Sequence, residues 1–476
     1  MTPSEYLAQD AVGLADLIRR RQVSAVEVLD AAVERTAAAN PRVNAVTLFM
    51  EAQARAAIAA GLPQGPLTGV PFLLKDLGAQ VAGLPTTSGS RLFKDNVPAA
   101  DGASVVGYRR AGLVLFGKTN TPELGLEPVT EPEMFGPTFN PWDLERTPGG
   151  SSGGASAAVA AGMVPAAHAS DGGGSIRIPA SCCGLFGLKP GKGRVSFAPA
   201  NEGWGGFSVQ HAVTRSVRDS AVLLDAVCQP QPGDPYWLEP PATPFANEVG
   251  RDPGALRIGV FDRAINGGEA IDPECAQAVR DAARLCESLG HHVEEAVLPG
   301  DIAAAAAAAG SIIAASIAST VAIEEARRGR PVEEGEIDVI TRGMVARGQG
   351  ISGADYIRAV QLAHAYGRQI AVFFQRYDIF LCSTMGSPPI RIGELRGQPL
   401  DLRGYGPRLL AFMPNTQAFN ITGQPAMSVP LAWSAGGLPI GVQFVGRPAD
   451  EATLLRLAGQ LEQAQPWAHR RPAGFA

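Results

Sequence analysis

This chain is short of charge. Asp, Glu, Lys and Arg together make up 18% of its 476 residues, against about 25% in an average soluble protein. Lys and Arg number 40 against 46 Asp and Glu, a net charge of −6. With no cationic excess, neither nucleic acid nor an anionic membrane is expected as a partner. Histidine and cysteine are also sparse, at six each. Six cysteines without a C-x-x-C spacing make no disulfide framework in a chain this long, so reduced thiols are expected. The N-terminal stretch lacks a basic segment followed by an apolar one. No secretory signal is read there, and a cytoplasmic protein is the expectation.

One uncharged stretch bears on the membrane question. Residues 302–323 carry no charge over 22 positions, enough to cross a bilayer. Eleven of them are Ala, four are Ser or Thr and one is Gly, so the transfer energy is weak. A buried Ala-rich helix is preferred over a membrane span.

What the chain has in abundance is glycine. Hydrophobic residues reach 46%, and 56 Gly join 38 Pro, which implies a large core joined by many tight turns. Apolar residues at three- and four-residue spacing predict helices within 12–60, with Ser24 and Glu27 placed as a capping box. Further helices are predicted at 103–111, 155–161, 216–227, 273–289, 354–376 and 451–462. Strands are predicted at 66–76, 113–116, 256–261, 292–297, 379–382, 426–429 and 440–445. This alternation predicts an α/β fold, with a mostly parallel sheet covered on both faces. No repeat or low-complexity linker interrupts it. One domain over 1–476 is expected, with 235–395 able to form a lobe appended around the site.

Two glycine clusters carry the chemical interest. Gly149-Gly-Ser-Ser-Gly-Gly154 is not a phosphate loop, because no Lys follows at the required place. Its letters fit a nucleophile elbow, but that fold needs a later acid and His, and His291, His292 and His469 are poorly placed for the task. A flexible turn would explain this cluster alone. The second cluster, Asp171-Gly-Gly-Gly-Ser175, sets three residues without side chains directly before a serine. Successive glycine amides can form an anion-binding nest, and a hydroxyl beside such a nest is what acyl transfer requires. Asp171 and Arg177 flank it and read as a local ion pair that holds the loop.

A hydroxyl nucleophile needs a base, and with His scarce a lysine is the available candidate. Lys75 ends the apolar run Val70-Pro-Phe-Leu-Leu74. There it is either a lysine snorkelling outward or one whose pKa burial lowers.

Together these segments resemble the amidase signature family of serine hydrolases. The resemblance lies in Gly69-Val-Pro-Phe-Leu-Leu-Lys75-Asp76, the two glycine clusters, and Cys183-Gly-Leu-Phe-Gly-Leu-Lys-Pro190. It is strongest over a signature core at 66–195. Weaker matches are Asn420-Ile-Thr-Gly-Gln-Pro-Ala-Met-Ser-Val-Pro430 and Gly437-Leu-Pro-Ile-Gly-Val-Gln443. The resemblance implies a central mixed sheet of about eleven strands with helices on both faces, and no cofactor or metal. It implies Ser175 as nucleophile, Ser151 on a cis peptide as the bridging serine and Lys75 as base. Gly172, Gly173, Gly174 and Ser175 would supply an oxyanion hole, with Ser152, Asp171 and Arg177 in support. Gly172 stands where many members carry Thr.

The segment 130–142 with 167–171 resembles the branch containing 6-aminohexanoate cyclic-dimer hydrolase, near amidases of aryl amides and urethanes. The expected substrate is a small or oligomeric amide, anilide or carbamate, cut by a monomer or homodimer. Alternatives are an amidotransferase A-type subunit working in a complex, or an esterase-type hydrolase. Trp204 and Phe207, in a glycine-rich loop at 199–210, either line the substrate pocket or anchor that loop; Phe135, Met134 and Met413 are weaker pocket candidates.

Overall fold

The computed structural model describes residues 1–200 and 202–475, so Asn201 of the glycine-rich loop lies outside the described residues. Its eleven strands are β1 (Val46–Phe49), β2 (Pro71–Lys75), β3 (Val114–Thr119), β4 (Ala166–Asp171), β5 (Phe186–Lys189) and β6 (Val209–Thr214), followed by β7 (Arg257–Phe261), β8 (His292–Glu295), β9 (Ile379–Ser383), β10 (Ala426–Trp433) and β11 (Pro439–Gly446). They form one sheet in the order β1-β3-β2-β4-β6-β5-β10-β11-β9-β7-β8. The fold is α/β, with the mixed sheet that the family resemblance implied.

The alternation rule did less well. Only β2–β3, β2–β4, β7–β8 and β7–β9 pair in parallel, while the centre from β4 through β11 to β9 is antiparallel. A mostly parallel sheet is therefore corrected to a mixed one. The strands missed by periodicity explain the error. β4 reads Ala-Ala-His-Ala-Ser-Asp and is buried at every position; it has neither β-branched residues nor an alternating pattern. β1 sits inside the region read as helices and pairs antiparallel with β3.

The central strands are apolar at consecutive positions because both faces of the sheet are covered. β2 and β9 are buried from end to end. The main core packs helices such as Ala25–Val43 and Glu451–Ala464 onto this sheet. The Ser24–Glu27 capping box forms as expected.

The region 235–395 contributes to the common sheet as well as to the surroundings of the site. Its strands β7, β8 and β9 extend the common sheet, pairing onward from β11. Its helices Ile302–Arg328, Val339–Gln349 and Gly353–Arg376 pack on one another beside the site. Helix Ile302–Arg328 is long and apolar enough, by length and composition, to cross a membrane. It buries Ala305, Ala308, Ala309, Ile312 and Ile313 along one stripe, yet only 39% of its most apolar window is buried. The expected buried helix is thus a one-faced one, because a single layer of helices covers it.

Candidate active site

Two strand ends and the starts of two short helices deliver the site. Lys75 is the last residue of β2, and Ser170 and Asp171 close β4. Ser151 and Ser152 directly precede helix Gly153–Ala160. Ser175 lies two residues before helix Arg177–Cys183. The peptide bond between Gly150 and Ser151 is cis, as the resemblance implied.

Lys75 is completely buried. Its Nζ donates to Ser151 Oγ at 2.7 Å and to Ser170 Oγ at 3.0 Å. Burial pulls its pKa from 10.5 down to about 7, while the negative charge of Asp171 pushes the other way. The lysine does not snorkel outward: its backbone is locked between β3 and β4, and its N–H donates to His168 Nδ1 at 3.3 Å. His168 itself is held neutral, with its pKa drawn down to about 3 by burial. A neutral amine touching a serine hydroxyl can act as a base near physiological pH. Ser152 Oγ donates to the Ser170 carbonyl at 3.1 Å and ties the two serine segments together.

Asp171 organises the loop that carries Ser175. Its Oδ1 accepts from Gly174 N–H at 2.7 Å, and its Oδ2 accepts from Ile176 N–H at 3.1 Å. Gly174 is therefore corrected as an oxyanion donor, because its N–H already serves a carboxylate. The N–H groups of Gly172, Gly173 and Ser175 carry no such bond among the described residues. A Cβ on Gly172 would lie 2.7 Å from the Trp204 indole, which packs directly over it.

Arg177 grips the same carboxylate with two prongs, Nε to Oδ2 at 2.9 Å and Nη2 to Oδ1 at 2.9 Å. Its remaining hydrogens go to Gln443 Oε1 and Asn420 Oδ1, both at 2.7 Å, and to the Thr416 carbonyl at 2.9 Å. All five guanidinium donors are satisfied, as a fully buried arginine requires. The guanidinium and these hydrogen bonds outweigh burial and hold the Asp171 carboxyl far below its usual range. The ion-pair reading of Asp171 and Arg177 matches this geometry. Asn420 and Gln443 stand in the weakly matching C-terminal segments, but no local pattern ties them to Arg177, 243 and 266 residues away. Lys189, also overlooked, is fully buried, donates from Nζ to the Pro190 carbonyl at 2.9 Å and has its pKa lowered to about 7 by burial.

Ser175 opens onto a cavity of about 280 Å³. Its walls include Trp204 and Met413, together with Leu126, Ile313 and Met344. Phe207, Phe135 and Met134 do not line it. Phe207 is turned into the core with Phe419 and Ile312, and the Phe135 carbonyl is bonded by Asn44 on a separate loop. Gly205 and Gly206, both at positive φ, turn the chain between Trp204 and Phe207, and Trp204 lines the cavity while packing on the same apolar cluster as Phe207. Trp204 itself adopts a left-handed φ of 54°, which is costly for a bulky residue.

Among the described residues no group of His, Cys, Asp and Glu is arranged to hold a metal ion. All six cysteines are free and buried.

The family model described as Amidase matches residues 27–455. The 6-aminohexanoate-cyclic-dimer hydrolases of Pseudomonas sp. (strain NK87) and Paenarthrobacter ureafaciens are each 39% identical over 482 residues, covering 98% of this chain and 97% of theirs. A solved structure of 6-aminohexanoate cyclic dimer hydrolase complexed with substrate superposes with a TM-score of 0.93 at 38% identity, over 99% of this chain and 100% of that one. A bacterial aryl acylamidase superposes at 0.87 with 27% identity, over 98% of both chains.

Proposed function

Since this chain belongs to the amidase signature family and is an amide hydrolase, we propose that it cleaves small or oligomeric amides, anilides or carbamates through an acyl-enzyme on Ser175. The observation that carries this reading is the buried contact of Lys75 Nζ with Ser151 Oγ at 2.7 Å, with the lysine near neutrality. Neutral Lys75 accepts the Ser151 proton as Ser151 Oγ accepts that of Ser175. Ser175 Oγ then adds to the carbonyl carbon, and the N–H groups of Gly172, Gly173 and Ser175 face the oxyanion. The proton returns through Ser151 to the leaving nitrogen, the C–N bond breaks and the amine departs. Water takes the amine's place and reverses the path, releasing the acid. With a carbamate the same attack expels the amine and leaves a carbonate ester on Ser175.

Trp204 and Met413 form the apolar wall for the chain next to the scissile bond, consistent with the ordinary make-up of small-molecule sites. The test is release of nitroaniline from an acyl-nitroanilide by the purified protein alone, extended to lactam oligomers and aryl carbamates. Ser175→Ala should lower kcat/KM by at least about 10³-fold. Activity of the protein by itself also separates it from a subunit that needs partners. Equal inertness of wild type and Ser175→Ala across the whole panel would overturn the reading.

A further inference from the structure

Two ionic side chains reach the cavity beside Ser175, Glu127 and Arg347. Glu127 is already committed. Both its carboxylate oxygens accept from Arg396 Nε at 3.0 Å, and Arg396 Nη2 also bonds Asp338 at 2.7 Å. Arg347 forms no ion pair among the described residues; its one side-chain hydrogen bond runs from Nη2 to Ser311 Oγ at 3.3 Å. Arg347, exposed on its helix, therefore adds a positive charge with no carboxylate partner among the described residues to a cavity whose walls are mostly apolar, with Glu127, Tyr405 and Gln417 among them.

The position of that charge is built into two helices. Arg347 lies near the end of helix Val339–Gln349, which crosses helix Ile302–Arg328. At the neighbouring Gly348 a Cβ would fall 2.1 Å from the Ala314 carbonyl oxygen, so the two backbones touch there. Gly310 interrupts the alanine run on the facing helix and itself lines the cavity. A Cβ on it would sit 3.2 Å from both Arg347 Nη1 and Nη2. Glycine is a poor residue for a helix interior; here it leaves room for the guanidinium to lie across the helix, and Ser311 holds one edge. The other donors of the planar fork stay unpaired, and such a fork matches a carboxylate.

We propose that Arg347 anchors a substrate carboxylate in the wall of this cavity, so that the preferred substrates are amides whose apolar chain ends in a carboxylate. The inference rests on the amidase reading above and sharpens it to a substrate class. The carboxylate can belong to the leaving amine or to the acyl part, and paired substrates separate the two. N-Butyryl-6-aminohexanoate carries it on the amine side, and the monobutylamide of adipic acid carries it on the acyl side. Each is compared with a neutral partner in which the carboxylate is a carboxamide.

In wild type the acid should exceed its neutral partner in kcat/KM by about tenfold for at least one pair, as expected for a hydrogen-bonded charge. Arg347→Gln should erase most of that ratio, and Arg347→Lys should keep part of it. A binding arm needs no turnover. Calorimetry on Ser175→Ala should show the same acid binding at least about fivefold tighter than on Ser175→Ala/Arg347→Gln. Equal affinities in those two proteins, or an acid-to-amide ratio unchanged by Arg347→Gln, would overturn the anchor. Nitroanilide cleavage without the affinity difference leaves the amidase reading standing and sinks this one. The affinity difference with no cleavage of any substrate does the reverse.

Discussion

Lys75 sits where lysine is normally avoided, and its surroundings explain both its place and its use. Burial removes the water that would stabilise an ammonium, so the pKa falls to about 7. The charged form predominates below that value and has no lone pair to accept a proton; the neutral form predominates above it. With chemistry rate-limiting, kcat/KM should therefore rise through about pH 7 and level off above it. A profile flat from pH 5.5 to 9 would remove Lys75 from the role of base. This residue was legible in the sequence because it ends an apolar run. Gly174 was not, because its N–H is claimed by Asp171 only once the loop has turned. The amide of any one glycine in such a cluster can face a ligand or a neighbouring carboxylate, and spacing does not distinguish them.

At the scale of elements, the crossing of helices Ile302–Arg328 and Val339–Gln349 shapes one wall of the cavity. The crossing is close because Gly348 offers no side chain against Ala314. Gly348→Ala should force the helices apart and cost about 1–3 kcal/mol, the usual range for overpacking. Urea unfolding checks this, and an unchanged midpoint would mean that the helices shift at little cost. The sequence showed that 302–323 is an apolar helix, since composition and length suffice for that. It did not show which stripe is covered, because a run of alanines has almost no amphipathic pattern to read. The loop at 199–210 behaves alike. Its two aromatics were visible as a pair, but only the tertiary structure puts Trp204 in the cavity wall and leaves Phe207 buried behind it in the same apolar cluster.

For the whole molecule, burying a potential charge is a matter of stability as well as catalysis. In the unfolded chain Lys75 has its ordinary pKa of 10.5, and in the folded protein about 7. Between these values the unfolded state binds more protons, so this group's contribution to stability rises with pH from about 7 to about 10.5 and is flat below. Lys75→Met should remove that increment, so wild type should gain more stability than the variant between pH 7 and 8.5. Parallel pH dependence of the two urea midpoints would contradict the lowered pKa. The same comparison should find Lys75→Met inactive, as the proposed base requires, yet no less stable at pH 7, because burying an amine that would be charged in water costs stability.

The sequence by itself determined the family and the α/β character, and singled out Lys75, Ser151 and Ser175 as the candidate reacting groups. Each of these is written in local text: a motif, an apolar run that ends in a cation, an alternation of periods. Tertiary structure alone decided the strand order, which depends on pairings such as β5 with β10 between distant parts of the chain. It alone brought Asn420 and Gln443 to Arg177 and turned one glycine amide away from the site. The physical reason is common to all of these. A buried polar group must be satisfied by whatever the fold places next to it, and those neighbours are set by packing across the sheet rather than by spacing along the chain.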